Sequence, residues 1–543
     1  MSIDTGVPRL TRPPIPVTPP PHVRRTYDVT ARDGVFALVL LVVGYVWWDW
    51  LWPRSTAIVI QDSPTSGQVW YQDWLPGAGV PAFFVLALAV SVAYYRLAGV
   101  PLTRTAYAGA ALLLVATGPF VLYSTTALHL LLGAAVLAGF IVWHASVCHE
   151  DGPGTFGLRL ATHALNQGLA PFRNAGAWWA ALTVGLRGHR RPAQAVATVI
   201  GLIVAAPVIV VVIALLASAD TGFSHVVESL AGAFAHVSPG RVFWQAVFAV
   251  PVAAFAAGLL YANAHARGAS TVSPAALRRV GRALQRVPVT ALAAPLAILC
   301  LIYVVFFAAM GSSLFAGFAG HLPDGFTYAS FARRGFFELA GVAAINAGVM
   351  AFVHTFAVRA GGLPRSLRAF GVALSGLTLL LIATSASKLL LYVSTYGLTM
   401  LRLVTLVFLA CLFAVFALVL ARHLRRFDVS RPLAGVVLVA LLGLTWGNPQ
   451  GLVARYDADR YLSGDLAQID VPYLADNLGD AAIPALADLA AAAPSHPAAG
   501  QAAQAALAEY AKNAQAIDAA GGVPWMAWTW QRAQAVRIAE AAG

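Results

Sequence analysis

The chain has 543 residues, of which 59% are hydrophobic and only 11% are charged, and its mean hydropathy is +0.73. Because soluble domains carry about 25% charged residues, this composition excludes an ordinary soluble protein and indicates a protein that crosses a membrane many times. Arginines supply all but two of the basic residues behind the net charge of +12, and no soluble stretch interleaves them with aromatic side chains, which argues against nucleic-acid binding.

The N-terminal arm, residues 1–33, contains seven prolines and five arginines. This composition predicts a disordered cytoplasmic arm that lies close to anionic lipid headgroups. The apolar run that follows ends in tryptophans and has no small-residue cleavage site, so we interpret it as a membrane span and not as a signal peptide.

Residues 34–447 form the predicted polytopic transmembrane domain, because they contain eleven apolar runs that approach the roughly 20 residues a helix needs to cross a bilayer. The predicted fold class is an all-α integral membrane protein, with about eleven transmembrane helices and a small helical extracytoplasmic C-terminal domain. The predicted spans lie near residues 34–52, 78–97, 104–123, 127–147, 195–217, 241–263, 289–312, 335–357, 367–391, 400–421 and 432–447.

The arginines predict how these spans are oriented. The N-terminal arm and every second loop together hold 24 of the 35 basic residues, whereas the opposite loops hold six before the C-terminal tail. Basic residues are retained on the cytoplasmic side of membranes. We therefore expect a cytoplasmic N-terminus and an extracytoplasmic C-terminus.

The cytoplasmic loop over residues 148–194 is long enough for one or two interfacial helices, which Trp178 and Trp179 would anchor. It contains the letters of a G-x-G-x-x-G motif at 152–157. That motif needs a strand before it in a βαβ unit, and here it follows a membrane helix, so it does not indicate nucleotide binding.

A group of potential metal ligands precedes this loop: His144, Cys148, His149 and Glu150. Cysteine, histidine and carboxylate side chains can bind a transition metal. Their spacing fits no structural zinc pattern, however, and we predict neither a metal nor another cofactor.

The tail, residues 448–543, has a different character, with ten acidic residues against five basic ones. Asp470 and Pro472 predict the start of a helix and Gly479 its end. Further helices are predicted over 480–493, 498–519 and 531–542. We expect an acidic helical extracytoplasmic tail that serves as an attachment, a lid or a docking site for a protein partner.

The strongest candidate binding residues lie where the ninth and tenth spans meet. Lys388, Tyr392 and Tyr396 are spaced four residues apart, so a continuous helix places them on one face, and Arg402 follows in the next span. An ionisable group inside a membrane indicates function by default. The alternative is that Lys388 extends its ammonium group to the outer interface.

Four further candidates, Arg333, Arg334, Glu338 and Asp220, lie at the start of the eighth span or follow the fifth. Arg333 and Arg334 lie on the translocated side, against the charge rule, and an arginine pair suits the recognition of a phosphate or carboxylate. The alternative role of the arginines is an ion pair with Glu338 or with the acidic tail. Asp220 could bind a ligand or cap a short outer helix.

Several stretches of the chain resemble a known family. They are residues 218–223, 326–339, 391–403, 448–457, 480–484 and 528–532. These stretches are similar to a bacterial multi-pass membrane family, domain of unknown function 4173, which is related to family 4153. The resemblance implies a location in the bacterial inner membrane and implies no activity or catalytic residue.

Three functions remain open. The first, which we prefer, is a non-enzymatic protein that binds or moves an anionic lipid or other amphiphile through an outer-facing polar cavity. The second is a membrane scaffold or signalling protein whose tail recruits a protein partner. The third is a polyprenyl-phosphate-dependent transferase that uses an acid among Asp49, Asp62 and Asp73. The sequence has no motif that identifies a catalytic residue.

Overall fold

A computed structural model describes residues 27–51, 54–61, 67–124, 126–148, 156–187, 239–265, 272–319, 336–358, 363–425 and 427–542. The first helices are α1 (Ala31–Leu51), α2 (Gly79–Leu97), α3 (Arg104–Ala116), α4 (Gly118–Leu122), α5 (Thr126–Cys148), α6 (Phe156–Asn174), α7 (Gly176–Arg187) and α8 (Pro239–Ala264). The next are α9 (Pro274–Leu284), α10 (Val289–Ala319), α11 (Phe336–Phe356), α12 (Arg365–Tyr396), α13 (Met400–Leu424) and α14 (Ser430–Trp446). The last are α15 (Pro449–Leu462), α16 (Val471–Leu478), α17 (Ile483–Ala491), α18 (Pro497–Ala519) and α19 (Trp530–Ala542).

Within the described ranges, nine helical segments are long and apolar enough to cross a membrane, with α3 and α4 counted as one segment. Each coincides with a predicted span, so the helical membrane class is confirmed. The total of eleven is not confirmed. The predicted span over 195–217 lies outside the described residues.

The last predicted span, 432–447, corresponds to α14, which is followed by α15 after a bend of 63°. The bend has a local cause. Asn448 has a left-handed backbone (φ 45°), its side chain accepts a hydrogen bond from the Gly451 N–H, and Pro449 has no N–H to continue the helix. The chain therefore turns out of α14 and starts a new, charged helix.

One element is an exception to the all-α prediction. Strands β1 (Arg54–Gln61) and β2 (Gly67–Trp74) form an antiparallel hairpin between α1 and α2, with Arg54 paired to Trp74. Both strands are rich in β-branched or aromatic residues, which favour strands. Each is too short to stand out beside the apolar spans.

The described helices before residue 265 pack around α1 and α8. Gly44 of α1 lies so close to α8 that an added Cβ would be 2.4 Å from the Ala249 carbonyl oxygen. The loop helices α6 and α7 pack against this pair as well. Trp178 is 3% exposed and donates from Nε1 to the Ala37 carbonyl oxygen at 3.0 Å, so its predicted role as an interfacial anchor is wrong. Trp179 is half-exposed.

A second group of helices packs around α12, which contacts α10, α11 and α13. The buried face of α12 carries several polar side chains. Inside this bundle, Tyr303 donates to Asn346 at 2.8 Å, and Asn346 donates to Thr378 at 2.9 Å. Hydrogen bonds of this kind hold membrane helices together where no water can satisfy polar groups.

Helices α15 to α19 follow the sequence signals closely. The Asp470 side chain accepts from the Tyr473 N–H at the start of α16, and Gly479 ends that helix at φ 53°. The predicted start and end of this helix are confirmed. The hydrophobic core of α15 to α19 is continuous with that of the α10–α13 bundle, from Leu292 to Ala539.

The tail also contacts the first group of helices. Gly77 and Ala78, just before α2, donate their N–H groups to the carbonyl oxygens of Met526 and Trp528 at 2.7 and 3.1 Å. In addition, Tyr123, after α4, donates its hydroxyl at 2.9 Å to the carbonyl oxygen of Trp446, the last residue of α14. We call this boundary between the membrane helices and residues 449–542 the seam.

Candidate functional site: a polar pocket at the seam

The predicted outer-side residues fall into two groups. Asp220, Arg333 and Arg334 lie outside the described residues. Lys388 is 5% exposed within α12, and the charge of Glu338, on α11, acts on it electrostatically. The structure therefore brings this acid and this lysine together across two helices, and their binding role stays a prediction.

Tyr392, Tyr396 and Arg402 meet at the turn between α12 and α13. The Arg402 guanidinium lies over the Tyr392 ring at 4.1 Å, and the two tyrosine rings are 5.1 Å apart. Arg402 also donates to the backbone carbonyls of Tyr396 and Gly397. These contacts stabilise the turn, and a role in ligand binding is not tested by them.

The tail holds this turn from the other side. Gly397 has φ 77°, and the Asp457 carboxylate lies beneath it, where it accepts from the Leu398 N–H at 2.6 Å. Helix α15, which carries Asp457, is a charged helix that follows the last apolar helix, α14. Burial raises the pKa of Asp457 to about 6, although the Leu398 N–H and the charge of Arg402 oppose this shift.

Two other groups of sequence candidates are only partly described. His144 is buried, and its Nδ1 lies 2.6 Å from the Tyr95 hydroxyl, whereas His149 and Glu150 are outside the described ranges. Asp49 accepts from the Gln245 amide at 3.0 Å, across α1 and α8. Where side chains are described, no cluster of three potential ligands could hold a metal.

A polar cavity of about 280 Å³ lies at the seam. We call it the seam pocket. Membrane helices and tail both contribute to its wall, which is formed by Trp74, Leu75, Pro76, Ser124, His129, Gln450, Asp476, Asn477, Leu478, Gly479, Asp480, Ala527, Thr529 and Arg532. Its volume is just below the usual range for small-molecule sites, about 300–1,000 Å³.

His129 lines this cavity and has a buried nitrogen. The residue is 6% exposed, and its ring packs against Phe120 at 4.5 Å. The backbone of Pro119, which offers only a carbonyl, acts on the ring and favours a proton on the nitrogen that faces it. Nε2 has no partner among the described residues. In the neutral ring this nitrogen is a hydrogen-bond acceptor.

Arg532 contributes the second such nitrogen. Its guanidinium stacks over Trp74 at 4.8 Å, and its Nε is buried without a partner in the described part of the chain. Helix α19 positions it, because Thr529 caps the helix by accepting from the Arg532 N–H at 3.3 Å. Buried polar atoms are rarely left without a partner.

Hydrogen bonds across the seam fix the floor of the pocket. The Asp480 carboxylate accepts from Ser124 at 2.8 Å and from Tyr510 at 2.7 Å. Burial, together with the charge of Asp480, raises the pKa of Tyr510 above its ordinary value, so this hydroxyl stays protonated and donates. Gln531 accepts from the Ser124 N–H at 3.0 Å and donates to Asn448 at 3.0 Å.

Sequence reasoning missed the seam pocket. His129 looks like an isolated histidine in an apolar run, and Arg532 looks like one of five bases in an acidic tail. The available signals were a histidine at the outer end of the fourth span and the arginine that ends the 528–532 stretch. Neither indicates that the two residues line one cavity.

A sequence model of the family described as Domain of unknown function (DUF4153) matches residues 109–489. The match begins in α3 and names the related family 4153; it covers the resembling stretches from 218–223 to 480–484 and ends before 528–532. The assignment to family 4173 is not confirmed. No curated protein and no solved structure matches the chain.

Proposed function

The chain belongs to the DUF4153 family, and we propose that it is a membrane protein that binds an amphiphile whose polar headgroup enters the seam pocket. One observation carries this proposal: two side chains that line a single polar cavity, His129 and Arg532, each have a covered nitrogen without a partner among the described residues. A ligand that draws these side chains towards the cavity would give both nitrogens the hydrogen bonds that the described protein lacks.

The position of the pocket supports an amphiphile as the ligand. The wall includes the end of the hairpin before α2 and the first turns of α5, so the cavity lies at the ends of membrane spans. Headgroups lie at that level of a bilayer, beside the acyl chains.

An aromatic belt near the same edge also supports it. Trp50, on the last turn of α1, contacts Trp525 at 5.0 Å, edge to face. Trp525, Trp528 and Trp530 are each 39–50% exposed. Tryptophans are enriched where a membrane protein meets the headgroup region. With the predicted orientation, this is the extracytoplasmic side.

The test is native mass spectrometry of the full chain released from its own membrane. Arg532→Gln and His129→Phe remove the two nitrogens, and Arg537→Gln is the matched control. Arg537 lies on the same helix and stacks on Trp530 at 5.6 Å, outside the pocket. A hydrogen bond to a charged group contributes about 1.5–3 kcal/mol and one between neutral groups about 0.5–1.5 kcal/mol, so Arg532→Gln should retain at least about tenfold less amphiphile and His129→Phe about two- to tenfold less.

The control should retain as much amphiphile as the wild type. The proposal fails if the wild type carries only the bulk lipid mixture, or if folded Arg532→Gln and His129→Phe proteins keep the same bound amphiphile. Adding Lys388→Ala to the series tests the sequence-based site separately, because Lys388 is not part of the pocket wall.

A further inference from the structure

The charges of the seam pocket bear on which headgroup it accepts, a question that rests on the proposed function. The wall has one basic side chain, Arg532, and two carboxylates, Asp476 and Asp480. An anionic headgroup would gain one attraction and meet two repulsions at close range. The described wall therefore does not favour a phosphate.

The basic side chain is also already engaged. Arg532 lies against the face of Trp74. Both its charge and that of Asp480 act on Tyr510, which places the cation and this carboxylate around the same hydroxyl. A cation balanced by a neighbouring carboxylate attracts an added anion less than an isolated cation does.

The remaining polar groups of the wall include both hydrogen-bond donors and acceptors. Asn477, Gln450 and Thr529 can each donate and accept, and the exposed carboxylate of Asp476 accepts. A hydroxyl group both donates and accepts, so a ligand with several hydroxyls can satisfy such a wall, whereas a phosphate only accepts.

We infer that the seam pocket takes a neutral, hydroxyl-rich headgroup of about one ring, a sugar or another polyol, in preference to a phosphate. The volume of about 280 Å³ limits the part inside the protein to a single small unit. Hydroxyl-rich chemistry has two sources, a glycolipid and a free sugar, and the experiment separates them.

The experiment measures retention by native mass spectrometry on the full chain in mixed micelles, with three probes: a monoglucosyl diacylglycerol, a phosphatidylglycerol with the same acyl chains, and free methyl glucoside. Wild-type protein should retain the glycolipid at least tenfold better than phosphatidylglycerol. Arg532→Gln should retain about tenfold less of the glycolipid, and Arg537→Gln should retain as much of it as the wild type.

A second pair of variants tests the charge argument directly. Asp476→Asn removes one carboxylate from the wall and should raise retention of phosphatidylglycerol about fivefold or more. Asp488→Asn, an exposed tail aspartate outside the pocket, should leave it unchanged.

The outcomes separate this inference from the proposed function. If phosphatidylglycerol is retained better than the glycolipid and Arg532→Gln abolishes its binding, the headgroup inference is overturned and the amphiphile proposal stands. If methyl glucoside binds as well as the glycolipid, the headgroup chemistry is supported and the amphiphile proposal is overturned. If no probe depends on Arg532 or His129, both are overturned.

Discussion

The tail packs closely against Gly77, and this close approach holds the seam closed. The substitution Gly77→Ala should therefore weaken the contact between the tail and the chain just before α2. An added Cβ would lie 2.4 Å from the Trp528 carbonyl oxygen, which is backbone and cannot rotate away. Ordinary contact needs roughly 1 Å more. A shift of that size breaks the hydrogen bonds from Gly77 to Met526 and from Ala78 to Trp528, at 2.7 and 3.1 Å.

The magnitude follows from these two bonds. A backbone hydrogen bond contributes about 0.5–1.5 kcal/mol net, so losing both destabilises the closed seam by about 1–3 kcal/mol. That energy corresponds to a population of open seam about 5- to 150-fold larger. Hydrogen exchange reports such local opening directly, because the amides exchange only when their bonds break.

The assay is hydrogen–deuterium exchange with mass spectrometry on peptides that cover residues 74–82 and 525–542, in lipid nanodiscs. Gly435→Ala is the control, because an added Cβ on Gly435 meets nothing within 4 Å. We expect faster exchange in both peptides for Gly77→Ala only. Wild-type exchange rates in folded Gly77→Ala would refute the argument that this close approach holds the seam shut.

Three further predictions concern the α12 bundle. Burial raises the pKa of Asp457 to about 6, so the folded protein binds a proton at this carboxyl more tightly than the unfolded chain does. The free energy of unfolding should therefore fall as the pH rises from about 4 to about 6 and should level off above that. Denaturation curves at several pH values measure this decline, which Asp457→Asn should remove. Gly371→Ala should lower the melting temperature, because the added Cβ lies against the His423 ring, whereas Gly376→Ala on the same helix, with open space around it, should not. Asn346→Leu breaks two buried hydrogen bonds, with Tyr303 and Thr378, and should destabilise the bundle by about 1–3 kcal/mol in unfolding titrations. A variant as stable as the wild type would contradict this prediction.

Hydropathy summed over about 20 residues determined much of the fold without any tertiary information. A span is a local property of composition, because a lipid environment demands a continuous apolar helix whatever its neighbours are. The same is true of the tail helix that Asp470 starts and Gly479 ends, since capping residues act within one turn. The sequence patterns did not predict the hairpin between α1 and α2, because its two strands are short and, within the described residues, pair with each other.

The candidate site was decided by tertiary structure alone. Ser124 and Gln531 are 407 residues apart in the chain and hydrogen-bond across the seam. His129 and Arg532 line one cavity only because the tail packs back onto the ends of the first membrane helices. Sequence patterns report which residues share a helix face and not which helices meet, so the charged residues around α12 were visible in advance and the seam pocket was not.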